Sequence, residues 1–263
     1  MLTREERIKI RKDNRFKRTN SLWNEFRFNQ AWTIGYLNNL CKISNANTFE
    51  EWEKFYISSG DERRRLIGKL PALKQYLLLN FEYKTYFKLE PKEKELNTMM
   101  GRNLEDMRDI AVRFHKIIVD NKIKNVSLDL CFAFVYIRIL DETWIGRNRE
   151  INTISLLSKT FPVCDFIETS LHDDVKLAID YEVKVDGVLI CGVQVKSDVN
   201  YKKIKQGNAN AISTIQSNYS RNKNYILRNK VDVLYVYSTE NGTVVNREVI
   251  SKIECLINKV IIA

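Results

Sequence analysis

The stretch Ala178–Asp198, AIDYEVKVDGVLICGVQVKSD, limits the possible folds of this chain more than any other. Ile179, Tyr181, Val183 and Val185 alternate with Asp180, Glu182 and Lys184, the period-two pattern of a strand with one packed and one polar face. Asp186-Gly187 supplies a turn. Val188–Lys196 is then almost wholly apolar until Gln194 and Lys196, which share a face because they are two residues apart. Register decides whether Asp180 joins them. A two-residue loop at Asp186-Gly187 pairs Asp180 with Val193 and turns its carboxylate to the opposite face. A three-residue loop, Val185-Asp186-Gly187 with Gly187 in the left-handed bulge position, pairs Asp180 with Gly192 instead, and Asp180, Gln194 and Lys196 then line one face. The bulged hairpin is the expectation.

Asp180 on one strand, followed by Gln194-Val195-Lys196 on the next, resembles the motif of the PD-(D/E)xK nuclease superfamily, to which many type II restriction endonucleases belong. The chain departs from that motif at two points. Ala178-Ile179 stands where a proline can precede the aspartate, and Gln194 replaces the usual acid, which removes one negative charge from a metal site. The resemblance covers about a third of the chain, the usual size of such a core. It implies an α/β (α+β) fold, a restriction-endonuclease-like mixed β-sheet flanked by helices, in the order helix, strand, strand, strand, helix, strand. The implied site uses Asp180, Gln194, Lys196 and Glu150 as catalytic residues. Mg2+ would be held by Asp180, the backbone carbonyl of Val195, the Gln194 amide and Glu150, and Lys196 would orient or help deprotonate the attacking water. Glu150 enters because some branches carry a further glutamate on the helix before the hairpin; it reads equally as a surface carboxylate near a helix N-terminus. Asp173 and Asp174 are reserve acids.

The formal charge of +10 over 263 residues suits a polyanionic partner, although Lys-, Asn- and Ile-rich coding bias produces the same excess. Two histidines, His115 and His172, far apart in dissimilar contexts, argue against Ser-His-Asp hydrolases, His-dependent nucleases and zinc sites. A Gly-rich phosphate loop is absent. Five cysteines, widely spread and without a CxxC pair, read as reduced and mostly buried thiols. The polar beginning MLTREERIKIRK and the lack of a long apolar run predict a soluble, cytoplasmic protein with no membrane partner.

Residues 1–140 read as a mostly helical region for DNA recognition or dimerisation, and residues 141–263 as the catalytic core. The basic start, Arg4 to Arg18, is either a solvated helix face or an arm that tracks phosphates. Thr48-Phe-Glu-Glu51 has capping-box spacing, Arg63-Arg64-Arg65 is either a phosphate contact or a helix-end charge patch, and Pro71 opens a helix through ALKQYLLLNFEYKTYF. After Pro91 a helical pattern runs on with a loop around Gly101-Arg102-Asn103, and Met107, Ile110, Ala111, Phe114 and Ile118 fall on one stripe. For Leu128–Asp141 periodicity does not separate a buried helix from a strand, and we take a helix. Gly146-Arg-Asn reads as the start of the helix that carries Glu150. Beyond the hairpin, Lys202, Lys203, Lys205, Arg221 and Lys223 are candidate DNA contacts with tyrosines interleaved, and Val231–Ser238 reads as the central strand of the sheet. The expected function is a Mg2+-dependent, sequence-specific endonuclease acting on double-stranded DNA as a homodimer. The alternatives are a repair or junction-resolving nuclease, or a non-catalytic nucleic-acid-binding protein.

Overall fold

The computed structural model describes residues 2–170, 174 and 176–262. The chain divides into two compact units, Met1–Trp144 and Ile145–Ala263.

The first unit is helical. Five short helices, α1 (Arg4–Lys12), α2 (Asn14–Arg18), α3 (Asn20–Glu25), α4 (Ala31–Ile34) and α5 (Leu37–Ile43), lead to α6 (Phe49–Ile67), α7 (Ala72–Leu79), α8 (Tyr83–Tyr86), α9 (Pro91–Thr98), α10 (Leu104–Asp120) and α11 (Leu128–Tyr136). The Thr48 hydroxyl accepts the Glu51 N–H at 3.2 Å and the Glu51 carboxylate accepts the Thr48 N–H at 3.3 Å, so the expected capping box opens α6. The expected stripe on α10 is wholly buried, and Phe114 meets Trp23 and Phe28 edge-on.

Several arginines that looked free in the sequence are spent inside this unit. Arg63 is fully buried, 3.3 Å from Asp106, and donates to Asn97 Oδ1 and, at 2.8 Å, to the Leu78 carbonyl. Arg64 pairs with Glu105, Asp106 and Asp109, and Arg65 with Glu62. Arg63 is therefore an internal clamp and Arg64 faces acids of α10, while Arg65 is exposed and pairs with Glu62 of its own helix. Arg7 and Arg11 converge on Asp141 at 2.8 and 3.0 Å, so two of the eight basic residues between Arg4 and Arg18 anchor α1.

Two helices differ from expectation. The segment after Pro71 breaks at Asn80, which turns extended; the break buries Phe81 beneath Arg113, whose guanidinium also donates to Asn80 at 3.2 Å. Gly146 starts no helix: it lies within α12 (Glu142–Thr160), which follows a π-helical turn, Ile137–Asp141. All five residues of that turn are buried, and the extra residue per turn lets Arg138 and Asp141 face inward alongside Ile137, Ile139 and Leu140. Arg138 is matched there by the Phe16 carbonyl, Thr19 and Asn20.

The second unit is built on a four-stranded sheet in the order β1 (Cys164–Glu168), β2 (Tyr181–Val185), β3 (Val188–Ser197), β4 (Val233–Ser238), with β1, β2 and β3 antiparallel and β4 parallel to β3. It is a mixed sheet of the restriction-endonuclease-like kind. Strand β3 is central and β4 lies at the edge, which corrects the expectation for Val231–Ser238. The helices α13 (Asp198–Lys205) and α14 (Ala209–Asn229) connect β3 to β4, and α15 (Glu248–Ile262) closes the chain.

Tyr181, Val183, Val185, Cys191, Val193, Val195, Leu234 and Val236 pack with Leu157 of α12 and Val249, Ile253 and Ile257 of α15. The opposite face carries Asp180, Glu182, Gly192, Gln194, Lys196, Tyr235 and Tyr237 by strand alternation. Tyr201 of α13 meets Tyr237 at 5.0 Å and Tyr219 of α14 meets Tyr235 at 4.9 Å, so these two helices cover that face.

The hairpin reaches its expected outcome by a different register. Its loop has two residues, with Asp186 and Gly187 both at positive φ (48° and 80°), and Val185 pairs with Val188. The bulge lies further along, at Ile190: Lys184 pairs with Leu189 and Val183 with Cys191. Beyond it Tyr181 pairs with Val193, so Asp180 falls opposite Gln194 and not Gly192. One inserted residue restores the shared face.

Replacing Asp106 with Ala leaves the Arg63 guanidinium buried without its countercharge. All four tryptophans, Trp23, Trp32, Trp52 and Trp144, lie in the first unit, so tryptophan fluorescence in urea reads that unit. We expect a loss of about 3–5 kcal/mol, the cost of breaking a buried ion pair from one side; a change below about 1 kcal/mol, the worth of a surface pair, contradicts the internal-clamp assignment.

Candidate active site

Asp180 stands just before β2, beside the part of β3 that runs on past the end of that strand. Its N–H donates to the Val193 carbonyl at 2.9 Å. Its carboxylate then takes the place of the next ladder bond: Oδ2 accepts the Val195 N–H at 2.7 Å, and Oδ1 accepts Gln194 Nε2 at 2.7 Å. The side chain is 6 % exposed. Within a strand a residue's carbonyl points the same way as its N–H, so the Val195 carbonyl also faces the end of β2 at which Asp180 sits. Asp180, Gln194 and the Val195 backbone are therefore brought together.

Gln194 is 3 % exposed, and its Oε1 is buried with no hydrogen-bond partner among the described residues. A buried acceptor left unmatched costs about 1–3 kcal/mol, a cost that a cation or water at that oxygen would relieve. The amide also accounts for the departure from the acidic motif. A glutamate in this position would bring a second carboxylate to hydrogen-bond distance of Asp180, an arrangement in which one of the two resists ionisation. The glutamine donates to Asp180 through nitrogen and keeps an oxygen free.

Lys196 follows on the same face, half-buried, opposite Tyr237 on β4. Among the described residues it has neither a hydrogen-bond nor an ion-pair partner. Burial and the neighbouring Tyr219 raise the Tyr237 phenol to about 12, and burial pushes Tyr235 up further. Both stay protonated at working pH, and the Tyr235 hydroxyl donates to Asn222 Oδ1.

The donors available to a cation are a carboxylate, an amide oxygen and a backbone carbonyl. All are hard oxygens, the type Mg2+ takes while keeping several waters. The residues fit that ion, though sparsely: among the described residues no three His, Cys, Asp or Glu side chains converge.

Glu150 comes from another element. It is on α12, whose Leu157 and Ile154 pack the opposite face of the sheet, and is 3.7 Å from Arg147, which also pairs with Glu168. Asp173 lies outside the described residues. The carboxylate that does share the face is Glu182, occupied by Tyr225 Oη at 3.0 Å and Lys184 at 3.5 Å. Gly192 beside it is small for a packing reason, since a Cβ there would stand 3.2 Å from the Tyr225 ring.

The five candidate DNA contacts are all exposed on α13 and α14. Lys202 is 3.0 Å from Asp198, Lys205 lies over the Tyr201 ring, and Arg221 is held by Asn218. The 21 residues of α14 include no acid. Sequence reasoning missed Asn222 and Thr169, which hold the backbone leading to Asp180. Neither sits in a motif, and only the tertiary fold brings them there.

The model of the MjaI restriction endonuclease family matches residues 19–244, a span that includes the hairpin and both basic helices. No curated protein and no solved structure matches the chain.

Gln194→Glu tests the amide's role without any metal. The new carboxylate pair has a raised folded-state pKa, so its contribution to stability is intact at low pH and is lost as pH rises through that value. We expect the variant, relative to wild type in chelator, to lose about 1–3 kcal/mol more at pH 8 than at pH 5. A pH-independent difference in urea unfolding contradicts the close approach of residues 180 and 194.

Proposed function

Because the chain belongs to the MjaI restriction endonuclease family, and so to the nucleases that act on DNA, we propose that it is a Mg2+-dependent, sequence-specific type II endonuclease using a Gln-x-Lys form of the PD-(D/E)xK site. One observation carries this reading: a buried carboxylate and an unmatched amide oxygen lie on the same sheet face as a lysine with no partner among the described residues.

Hydrolysis of a phosphodiester needs charge neutralised on the phosphoryl oxygens, an oriented water and a stabilised leaving oxygen. Bound Mg2+ would supply the neutralising charge and lower the pKa of a coordinated water. Asp180 would anchor the ion, with Gln194 Oε1 and the Val195 carbonyl as further oxygen ligands. Lys196 orients the attacking water and offsets charge on the scissile phosphate. Glu150, with Asp174 in reserve, is the carboxylate that adds the charge Gln194 withholds. Lys202, Lys203, Lys205, Arg221 and Lys223 track the backbone of double-stranded DNA and set its register. The helical first unit contributes recognition or dimerisation, and a homodimer would match a palindromic site cut on both strands. The protein would work in the cytoplasm, where DNA is accessible; among the described residues no helix is long and apolar enough to cross a membrane.

A second reading, DNA binding without cutting, draws on the lack, among the described residues, of any cluster of three His, Cys, Asp or Glu side chains. Incubation with unmethylated phage DNA and Mg2+, followed by mapping of fragment ends, separates the two: discrete, reproducible ends support the nuclease, and uncut DNA that is nonetheless retarded in a gel supports the second.

Asp180→Ala and Lys196→Ala are expected to abolish cleavage while DNA affinity without metal stays within about threefold, less than 1 kcal/mol. Wild-type cleavage by either variant removes the site assignment. Replacing Lys202, Lys203 and Lys205 together with Ala lowers the slope of log affinity against log salt by about 2–3, since each phosphate no longer neutralised takes away about 0.9. An unchanged slope places the DNA elsewhere.

A further inference from the structure

The backbone that delivers Asp180 is held carbonyl by carbonyl. Ala178 is buried and adopts φ +55°, a left-handed conformation that costs a residue with a Cβ about 1–2 kcal/mol, so the turn persists only because its surroundings hold it. Asn222 of α14, fully buried, donates from Nδ2 to the carbonyls of Leu177 at 2.6 Å and Ala178 at 3.0 Å. Thr169 takes the next two, its hydroxyl reaching the Ile179 and Asp180 carbonyls and its N–H the Asp180 carbonyl at 3.0 Å. The Oδ1 of Asn222 accepts the Tyr235 hydroxyl at 2.5 Å, and Tyr235 is the β4 residue paired with Gln194. One amide thus ties the turn before Asp180 to the strand beside Gln194.

We propose that Asn222 is a positioning residue: by clamping the Leu177–Ala178 turn and the Tyr235 hydroxyl together, it fixes the separation of Asp180 from Gln194 and the Val195 carbonyl, and thereby the affinity of the site for its divalent cation. This rests on the reading of Asp180 as the metal anchor. Both amide protons and the amide oxygen of Asn222 are used, which an alanine cannot reproduce and an aspartate would replace with repulsion against two carbonyls. Because the hydrogen bonds of Asn222 go to the Leu177 and Ala178 carbonyls and the Tyr235 hydroxyl, its loss displaces the metal's donors without removing any.

The test measures Mn2+ binding to the full chain by the electron paramagnetic resonance of free Mn2+, alongside DNA cleavage over a Mg2+ titration. Asn222→Ala is expected to weaken Mn2+ binding about tenfold, at the lower end of the effect of outer hydrogen-bond partners on metal affinity, with cleavage recovered at high Mg2+ and metal-free DNA affinity unchanged. Tyr235→Phe removes one anchor of the clamp and keeps the ring, so it is expected to shift affinity the same way by about threefold and serves if Asn222→Ala does not fold. Wild-type Mn2+ affinity in either folded variant overturns the proposal, as does a loss of cleavage that excess Mg2+ fails to restore. If Asp180→Ala binds Mn2+ like the wild type, the metal-anchor reading itself fails; if Asp180→Ala loses Mn2+ while folded Asn222→Ala keeps it, only the role of Asn222 fails.

Discussion

The site depends on a carboxylate that substitutes for a strand. Where β2 ends, the Val195 N–H of the central strand would otherwise lack a partner, and Asp180 supplies one from its side chain while the neighbouring Gln194 amide takes its other oxygen. Buried polar groups must be matched, and here the matching fixes the orientation of the Asp180 carboxylate. The orphaned Gln194 oxygen is the complement: the amide satisfies Asp180 with its nitrogen and leaves an acceptor facing inward.

Charge is divided in a way that composition conceals. In the helical unit Arg63 and Arg138 are buried, and Arg7, Arg11 and Arg64 face acids, so much of the positive excess there is architectural. On α13 and α14 the lysines are exposed, and acids are nearly absent, Asp198 being the exception. The same residue types serve packing in one unit and present an exposed basic surface in the other, with burial making the difference.

The hairpin, its turn, the Thr48 capping box and the α10 stripe were legible because each is written in short-range periodicity. The bulge at Ile190 was not, because Val188–Val193 is apolar throughout and no alternation marks the extra residue; the shared face was inferred correctly from the wrong bulge. Gly146 looked like a helix start because glycine disfavours helix interiors by about 1 kcal/mol, a penalty outweighed once the π-helical turn and the packing of Leu157 carry the helix through. Val231–Ser238 looked central because it is apolar, yet an edge strand packed on one face by α15 and capped on the other by tyrosines is equally dry. Asn222 and Thr169 were beyond reach, since their partners lie 44 and 10 residues away in the chain and no local pattern encodes those contacts.

Diffraction from crystals soaked in Mn2+, with the anomalous signal locating the ion, addresses the central claim directly. The account predicts one peak bounded by the Asp180 carboxylate, Gln194 Oε1 and the Val195 carbonyl, with Asn222 still clamping the preceding turn. A peak held by other side chains, with Gln194 Oε1 left unmatched beside Asp180, would contradict it.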